Sequence, residues 1–385
     1  MNVAIIGAGV SGLSIALTLL KKGISVTIYE ALNAPLKKLL ASGNGKANLS
    51  NKYLNSNAYN NEDFASNVLN KFNNDDLIDF LKSIGVYTKF DNEGRMYPYN
   101  EIAKSVCDSL LLMAHHLGAK IIYKKVEKIE KKEKFIIFDT KYDYVALACG
   151  SVAHNGVDSY NLAKMLGHNV TKLSSSLCPI YSSDSLLNGL DGIRVKAKVY
   201  LNEFIEYGEI QFKKDALSGI VIFNLVSYLN KNNISNPTIY IDLIDGYSYD
   251  DFIKIFNNDW KYLDVCFQGL INNRLMNNIL KKLNLGKRFV NELNTEEKLL
   301  IYNTLKKLPN KLDGLYDFKS AQVISGGVNL DEVDNNMRSK IIDNLYIIGE
   351  MLNIDGKCGG YNIHMAFATG AIAGEGIIDD INRKY

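Results

Sequence analysis

Apolar residues in the first part of the chain fall into short runs that alternate between strand and helix patterns. Residues 3–6 and 25–29 are apolar strand patterns, and residues 13–20 between them are an apolar helical pattern. Helical spacing of apolar residues follows at 64–84, and a further strand pattern lies at 143–148. Strands that alternate with helices predict a parallel sheet with helices packed on it.

A glycine-rich turn at residues 7–12 joins the first strand to the first helix. Its spacing of Gly7, Gly9 and Gly12 is typical of a dinucleotide-binding turn. The first glycine permits the tight turn, the second lets the backbone approach a pyrophosphate, and the third lets helix and strand pack closely. The turn alone does not separate FAD from NAD, and a plain connection is the alternative interpretation. No second turn of this kind occurs, which favours one tightly held flavin.

Residues at the ends of other strand patterns extend the candidate site. Glu30 lies about 20 residues after the turn, where a carboxylate accepts hydrogen bonds from ribose hydroxyls and disfavours a 2′-phosphate. Residues 145–150 end in small residues, which suits close passage beside a dinucleotide, although a buried strand without a ligand would look similar. Residues 349–350 follow a strand, and the glycines at 359–360 open a helix. The N-terminus of that helix would favour negative charge on a reduced flavin, with a plain glycine-rich connection as the alternative.

The pattern changes in the middle of the chain. Residues 193–201 alternate apolar and polar side chains, as a half-buried strand does, and residues 249–308 have a helical pattern. Asn294 and Glu297 have the spacing of a helix capping box, and Pro309 is placed to end that helix. We therefore predict three segments: the first part of a nucleotide-binding domain at 1–178, an inserted α+β domain at 179–320, and the second part of the nucleotide-binding domain at 321–385.

Composition narrows the class of protein. The chain has 385 residues, 47% hydrophobic and 22% charged, with a formal net charge of +2. This balance is typical of a globular protein and gives no electrostatic signature of nucleic-acid binding. The five cysteines are scattered without a Cys-x-x-Cys pair, so we expect neither a disulfide framework nor a metal site. No apolar run is long enough to cross a membrane, and we predict a cytoplasmic protein with no membrane or nucleic-acid partner.

Longer motifs resemble a known family. They are residues 38–51, 93–98, 166–168, 208–219, 321–333 and 355–362. In these motifs the chain resembles the YhiN/HI0933-like flavoproteins, also called BaiN-like or aminoacetone-oxidase-like, over nearly its whole length. The resemblance implies an α/β fold with a glutathione-reductase-like, Rossmann-type FAD-binding domain. Both chain ends form this domain, and an inserted α+β domain interrupts it. Because no His or Cys lies at a clear attachment position, we predict that FAD is bound without a covalent link.

The turn, the strand ends and the resemblance together give a predicted set of FAD contacts. The resemblance contributes Ser42, Gly43, Asn48, Glu350, Asp355 and the backbone of residues 360–363, and Val126 follows the general pattern of the fold. The complete predicted set is Gly7, Gly9, Ser11, Gly12, Glu30, Lys38, Ser42, Gly43, Asn48, Val126, Ala148, Gly150, Gly349, Glu350, Asp355, Gly360, Tyr361, Asn362 and Ile363.

The chain departs from the family in two places. Where the family reads Gly-Arg-Cys-Asn, residues 45–48 read Gly-Lys-Ala-Asn. Any role of that cysteine is lost, and Lys46 lacks the planar fork with which arginine binds oxyanions. The loop at 151–160 also lacks the family's glycine-rich pattern. We assign no catalytic residue: packing is the favoured role for Cys358, and His364 is a candidate proton relay or a structural residue.

The leading hypothesis is an FAD-dependent oxidoreductase that exchanges a hydride between the flavin and a small organic substrate. NADH or NADPH is a candidate electron donor. Two alternatives stay open, a flavoprotein that modifies RNA and a non-catalytic flavin-binding redox module. The sequence does not identify the substrate or the oligomeric state.

Overall fold

The computed structural model describes residues 1–153, 160–257 and 261–383. Most of the loop at 151–160, where the sequence departs from its family, lies outside the described residues. The chain divides into two compact units. The first unit combines residues 1–175 with the C-terminal segment from residue 321, and the second unit is residues 176–320.

The helices and strands are numbered in chain order over the described residues. The strands are β1 Asn2–Ile6, β2 Ser25–Glu30, β3 Ser50–Asn51, β4 Thr88–Phe90, β5 Arg95–Pro98, β6 Lys120–Tyr123, β7 Glu130–Lys131, β8 Phe135–Ile137, β9 Thr140–Tyr142, β10 Tyr144–Leu147, β11 Ser174–Ser176, β12 Ile180–Tyr181, β13 Arg194–Leu201, β14 Phe204–Phe212, β15 Ala216–Ser218, β16 Thr238–Asp242, β17 Leu308–Lys311, β18 Gly314–Leu315, β19 Val323–Ser325 and β20 Leu345–Ile347. The α-helices are α1 Val10–Leu20, α2 Lys37–Ala41, α3 Glu62–Lys71, α4 Asn74–Lys82, α5 Ala103–His116, α6 Tyr160–Met165, α7 Ile220–Lys231, α8 Tyr249–Ile253, α9 Leu263–Cys266, α10 Asn273–Lys282, α11 Thr295–Lys306 and α12 Tyr361–Asn382.

The first unit is built on a five-stranded parallel sheet in the order β20, β10, β1, β2, β6. The register pairs Ile6 with both Leu147 and Tyr29, so the strands end together at one edge. The residues that follow these strands therefore meet at that edge, as is usual for ligand sites of parallel sheets. The predicted Rossmann-type α/β fold, with a sheet formed from both ends of the chain, is confirmed.

Helices α1 and α12 contact each other closely, because small residues line the contact between them. A Cβ added at Gly370 would lie 2.5 Å from Ser11 O, and one added at Gly374 would lie 2.7 Å from the Thr18 side chain. The Ser14 hydroxyl donates a 2.7 Å hydrogen bond to Phe367 O across the contact. The two helices therefore approach to backbone contact, which holds the C-terminal helix against the N-terminal turn.

Two smaller elements complete the first unit near the strand ends. Strands β3, β5 and β4 form a three-stranded antiparallel sheet. Helices α3 and α4 occupy the stretch whose sequence has a single helical pattern. They are separate because the Asn73 side chain accepts hydrogen bonds from Asp75 N and Asp76 N, while Asp76 accepts one from Asn73 N. This capping box starts a new helix at Asn74.

The second unit contains a seven-stranded sheet in the order β17, β16, β13, β14, β15, β12, β18. The predicted strand at 193–201 is confirmed as β13, which forms a hairpin with β14. The predicted capping box is also confirmed, since Asn294 Oδ1 accepts from Glu297 N at 2.9 Å and Glu297 Oε2 accepts from Asn294 N at 3.0 Å.

Two sequence-based expectations for this unit are wrong. The stretch 249–308 is not continuously helical, because turns separate α8 to α11. Pro309 does not directly end a helix: α11 ends at Lys306, and Pro309 lies in β17. That strand is at the edge of the sheet, where a residue without an N–H is tolerated. Across the described residues, helices that combine the length and apolarity needed to cross a membrane are absent.

The packing of α1 on α12 predicts that Gly370→Ala destabilises the protein, although alanine is the better helix former. The added Cβ overlaps Ser11 O, so we expect the free energy of unfolding to fall by about 1 to 3 kcal/mol. Urea unfolding measures this change. Glu375→Ala is the control on an exposed position of the same helix, and it should change stability by less than about 0.5 kcal/mol. Equal stabilities for the two variants would contradict the close approach.

Candidate functional site

The glycine-rich turn after β1 leaves one face of its backbone open. A Cβ at Gly7 would lie 2.4 Å from Ala148 O, and one at Gly12 would lie 2.0 Å from Gly7 O. These two glycines are therefore required for contacts within the protein. At Gly9, by contrast, a Cβ would meet no heavy atom within 4 Å. The open backbone at Gly9 matches the position where the sequence motif predicts close approach of a pyrophosphate.

The start of helix α1 adds positive electrostatic potential to this turn. Gly9 is its N-cap residue and supplies no side-chain hydrogen bond. The first intrahelical bond runs from Leu13 N to Gly9 O at 2.9 Å. The N–H groups before Leu13 consequently have no partner within the helix, and together with the helix dipole they suit a phosphate. Ser11, also in the predicted set, lies within this first turn and is buried.

Glu30 at the end of β2 fastens the turn in place. Its Oε2 accepts a hydrogen bond from Ala8 N and its Oε1 accepts one from Leu32 N, each at 2.8 Å. A carboxylate has about four acceptor positions, so two backbone bonds leave capacity for ribose hydroxyls. Val126 is buried just after β6, the strand that pairs with β2. The structure thus places Glu30 and Val126 at neighbouring strand ends.

A charged cluster forms where β10 and β20 end. Lys38 on α2 makes an ion pair with Glu350 Oε2, and the Ser151 hydroxyl donates a 3.0 Å hydrogen bond to the same oxygen. A Cβ at Gly150 would lie 3.8 Å from Glu350 Oε2, so Gly150 borders the cluster. Ser151 was missed from sequence, because its role depends on Glu350 approaching from about 200 residues away. Gly349 contacts α1, since a Cβ there would lie 2.5 Å from Ser11 Oγ.

The loop at residues 42–48 has an unusual backbone. Gly43, Asn44, Gly45 and Ala47 all have positive φ angles, between 54° and 83°. Ala47 is fully buried in this left-handed conformation, which is costly for a residue with a Cβ. The loop is therefore held by its surroundings. The position of the family's cysteine lies inside the protein, and alanine fills it without a thiol.

Lys46 in the same loop shares one carboxylate with a second lysine. Its Nζ lies 2.7 Å from Glu101 Oε2, and Lys89 Nζ lies 2.9 Å from Glu101 Oε1. The hydrogen bond from Lys46, followed by that from Lys89, lowers the pKa of Glu101 to about 2. The charge that replaces the family's arginine is therefore held in a cluster of two lysines and one glutamate, which keeps one net positive charge.

Asn48 meets the first turn of helix α12. A Cβ at Gly360, whose φ is +102°, would lie 2.3 Å from Ser50 O and 2.7 Å from Asn48 Oδ1. Asn48 Oδ1 is buried and has no hydrogen-bond partner among the described residues. Gly360 is the N-cap of α12 and supplies no side-chain cap, while the first intrahelical bond runs from His364 N to Gly360 O. A buried acceptor therefore lies beside N–H donors that have no partner within the helix.

The junction between Asn48 and the first turn of α12 suits the ring of a flavin. The pyrimidine edge of a flavin offers an N–H donor beside carbonyl acceptors. An orphaned acceptor at Asn48 and helix donors after Gly360 complement such an edge. A buried acceptor without a partner is costly, and a bound ligand would satisfy it.

The remaining predicted residues near α12 build the loop before it. The Asn362 side chain accepts from Gly356 N and donates to Gly356 O, both at 2.8 Å. Tyr361 packs on Tyr59, whose hydroxyl donates to Tyr361 O at 2.9 Å. Asp355 is buried, and its N–H donates to Asn60 Oδ1 at 3.0 Å. Asn362 and Tyr361 thus hold the helix start with their side chains, while Ile363 contributes backbone in the first turn. Contact of these residues with FAD stays a prediction.

The first unit combines a parallel sheet with a glycine-rich turn, an acidic residue at the end of β2 and a second helix start near Asn48. Together these features define a Rossmann-type dinucleotide-binding protein. The chain belongs to the HI0933-like family, since residues 1–376 match the model of the HI0933-like protein Rossmann domain. The family resemblance stated from sequence is thereby confirmed. The predicted class, an FAD-dependent oxidoreductase, is confirmed as well.

Two curated relatives are similar over nearly the whole chain. One is the 3-dehydro-bile acid delta(4,6)-reductase of Clostridium scindens, 29% identical over 97% of this chain and 98% of the relative. The other is the ribosomal RNA dihydrouridine synthase of Haemophilus influenzae, 26% identical over 95% of each chain. Among solved structures, the 3-ketosteroid-delta4-(5alpha)-dehydrogenase of Rhodococcus jostii RHA1 is 12% identical, with a TM-score of 0.48 over 97% of this chain and 95% of that one.

The junction of Asn48 with α12 predicts different effects for two adjacent glycines. Gly359 and Gly360 both have positive φ, but a Cβ at Gly359 would have its nearest neighbour at 3.4 Å. Both alanine variants incur backbone strain, and Gly360→Ala additionally displaces residues 48–50. We expect Gly360→Ala to lower the free energy of unfolding by about 1 to 3 kcal/mol more than Gly359→Ala, measured by urea unfolding. Equal losses would show that this close contact does not form.

Proposed function

We propose that this protein reduces a carbon–carbon double bond in a small organic molecule, with NADH or NADPH as the electron donor. The observation that carries the proposal is the buried acceptor of Asn48 beside the open start of α12. That pair suits a flavin ring, and the family and its relatives support the oxidoreductase class. The relatives' names, a delta(4,6)-reductase and a dihydrouridine synthase, both describe addition of hydrogen to a double bond.

FAD is proposed to bind at the edge of the parallel sheet where the carboxyl ends of the strands lie. Gly9 and the start of α1 hold the pyrophosphate, and Glu30 accepts from the ribose hydroxyls. Asn48 and the first turn of α12 hold the pyrimidine side of the ring. When bound, FAD carries a hydride between the electron donor and the substrate. The N–H groups and dipole of α12 stabilise the negative charge that accompanies reduction.

Residues on the exposed side of the 42–48 loop are proposed to meet the substrate. Gly43 and Lys46 are exposed there, and Tyr97 is half-buried beside them, with its Cε1 3.5 Å from a Cβ placed at Gly43. Tyr97 presents an aromatic face and a hydroxyl, which suits a mainly apolar substrate with a polar group. Because Glu101 pairs with both Lys46 and Lys89, one net positive charge remains here to attract a polar or anionic group of the substrate.

RNA modification is the second candidate, because relatives named ribosomal RNA dihydrouridine synthase match 95% of this chain at 26% and 23% identity. Under this alternative the double bond belongs to a uracil base in ribosomal RNA. The formal net charge of +2 offers little general attraction to a polyanion. For that reason we favour a small-molecule substrate.

An anaerobic titration of the purified protein tests the proposed function. We expect a yellow protein whose flavin absorbance is bleached by NADH or NADPH. A steroid with an unsaturated ketone should then restore the colour without oxygen, whereas ribosomal RNA should not. Reoxidation by ribosomal RNA alone would establish the second candidate. A protein that binds FAD but responds to neither nucleotide would refute the proposed electron donor.

The open backbone at Gly9 predicts a variant that loses cofactor without losing its fold. Gly9 has φ −82° and ψ −170°, which any residue adopts, and a side chain there meets no protein atom within 4 Å of its Cβ. Gly9→Val should lower the stability of the FAD-free protein by no more than about 1 kcal/mol, because nothing in the protein is displaced and the cost is that of a poorer N-cap residue. The same side chain occupies the pyrophosphate position, so FAD affinity should fall at least about tenfold, or 1.4 kcal/mol.

The control for this variant is Gly269→Val, which also introduces a side chain where a Cβ has no neighbour within 4 Å. It lies in the second unit and should bind FAD as the wild type does. Fluorescence quenching on FAD addition measures both affinities. Wild-type affinity in Gly9→Val would contradict the assignment of the pyrophosphate to this turn.

A further inference from the structure

A buried chain of hydrogen bonds links the first turns of α12 to the segment beside Asn48. At its centre is His364, whose side chain is fully buried. His364 Nε2 lies 3.1 Å from Phe72 O, and its Nδ1 lies 2.9 Å from Ser50 Oγ. Ser50 Oγ in turn lies 2.6 Å from Asn74 Oδ1, and Asn74 Nδ2 donates to Asn51 O at 2.9 Å. We call these residues the His364 chain.

The ends of the His364 chain determine where its protons lie. Asn51 O and Phe72 O are carbonyl oxygens, which only accept. The Asn74 amide must therefore turn its Nδ2 towards Asn51 O, which leaves its Oδ1 facing Ser50.

The remaining protons follow from this orientation. The hydroxyl of Ser50 has one proton, and Asn74 Oδ1 requires it. Ser50 Oγ can then only accept from His364 Nδ1, while Phe72 O requires a proton on Nε2. All contacts are satisfied only when the imidazole carries both protons. A neutral imidazole leaves one contact in the chain without a proton.

Burial opposes the charged form of the ring. It lowers the pKa of His364 to about 4, and the position near the N-terminus of α12 further disfavours a cation. Two neighbours act in the other direction and raise the pKa of His364: first the Phe72 carbonyl that accepts from the ring, and then the carboxylate of Asp76 at the start of α4. The groups in direct hydrogen-bond contact, Ser50 and Phe72 O, are neutral. At neutral pH the ring is therefore neutral, and the chain has room for one more proton.

We infer that His364 is a proton-holding group of the cofactor site, which takes up one proton from solvent when negative charge is placed at the start of α12. The inference rests on the proposed function, because reduction of a flavin at that position supplies the negative charge. His364 follows Gly360 by one helical turn, a rise of about 6 Å along the helix axis. At that distance, opposite charges stabilise each other inside a protein. Uptake of this proton by His364 balances the new negative charge at the start of α12. It also completes the hydrogen bonds of the His364 chain.

Nitrogen-15 NMR of histidine-labelled protein tests the inference directly. The FAD-loaded protein is compared in its oxidised form and after anaerobic reduction with dithionite, at pH 7. We expect a neutral ring with its proton on Nε2 before reduction and two ring protons after it. His364→Gln assigns the signal by its disappearance. An unchanged ring in protein whose flavin is visibly reduced would overturn the inference, whereas protein that takes up no FAD would instead refute the proposed function.

Proton uptake during reduction provides a second measurement that does not require the histidine variant to fold. Ser50→Ala removes the hydroxyl oxygen that accepts from His364 Nδ1, so the His364 chain can no longer stabilise the second ring proton. In weak buffer with a pH indicator, wild-type protein should take up one more proton per two electrons than Ser50→Ala. Ser14→Ala is the matched control, because it removes another buried serine hydroxyl, bonded to Phe367 O, and should keep the wild-type count. Equal uptake by wild type and Ser50→Ala would overturn the inference.

Discussion

Close contact between backbones is the constraint on which the rest of the first unit depends. Helix α12 approaches α1 because Gly370 and Gly374 have no side chains at the contact. The same helix meets residues 48–50 because Gly360 has none. The two helices run in the same direction, and α12 begins nine residues before Gly370, about 14 Å beyond the start of α1. Both helix dipoles then point their positive ends towards the same side of the unit, which suits an extended ligand with a negative pyrophosphate and an electron-accepting ring.

The sequence predicted those parts of the fold that are encoded locally. The turn at residues 7–12, the strands beside it and the capping box at Asn294 each depend on residues close together in the chain. The division of 64–84 into two helices was missed because apolar spacing continues across Asn73, although its capping box is also local. Pro309 was misplaced because its tolerance at a sheet edge depends on strand order, which spacing does not reveal.

The candidate site also has parts that could be predicted from the sequence and parts that could not. Glycines and strand ends were predictable, since motif spacing identifies positions where a backbone must turn or approach a ligand. Ser151 was missed, and the pairing of Lys46 with Glu101 was not anticipated, because both depend on residues distant in sequence. The sequence suggested a proton relay or a structural role for His364. Its partners Ser50 and Asn74 could not be identified before the fold brought strand β3 and helix α4 to α12.

The parallel sheet has a consequence for the order in which the protein is made. Strand β10 pairs with β20 through Val145 and Leu345. One edge of β10 therefore stays unpaired until about 200 more residues have been synthesised. At ordinary rates of synthesis this delay is roughly 10 to 40 s. During that time the emerging chain has an unpaired, apolar strand edge, which favours association with other chains or with chaperones. Helix α12 follows β20, so the helix start that borders the candidate site is made only after β10 has gained its second partner.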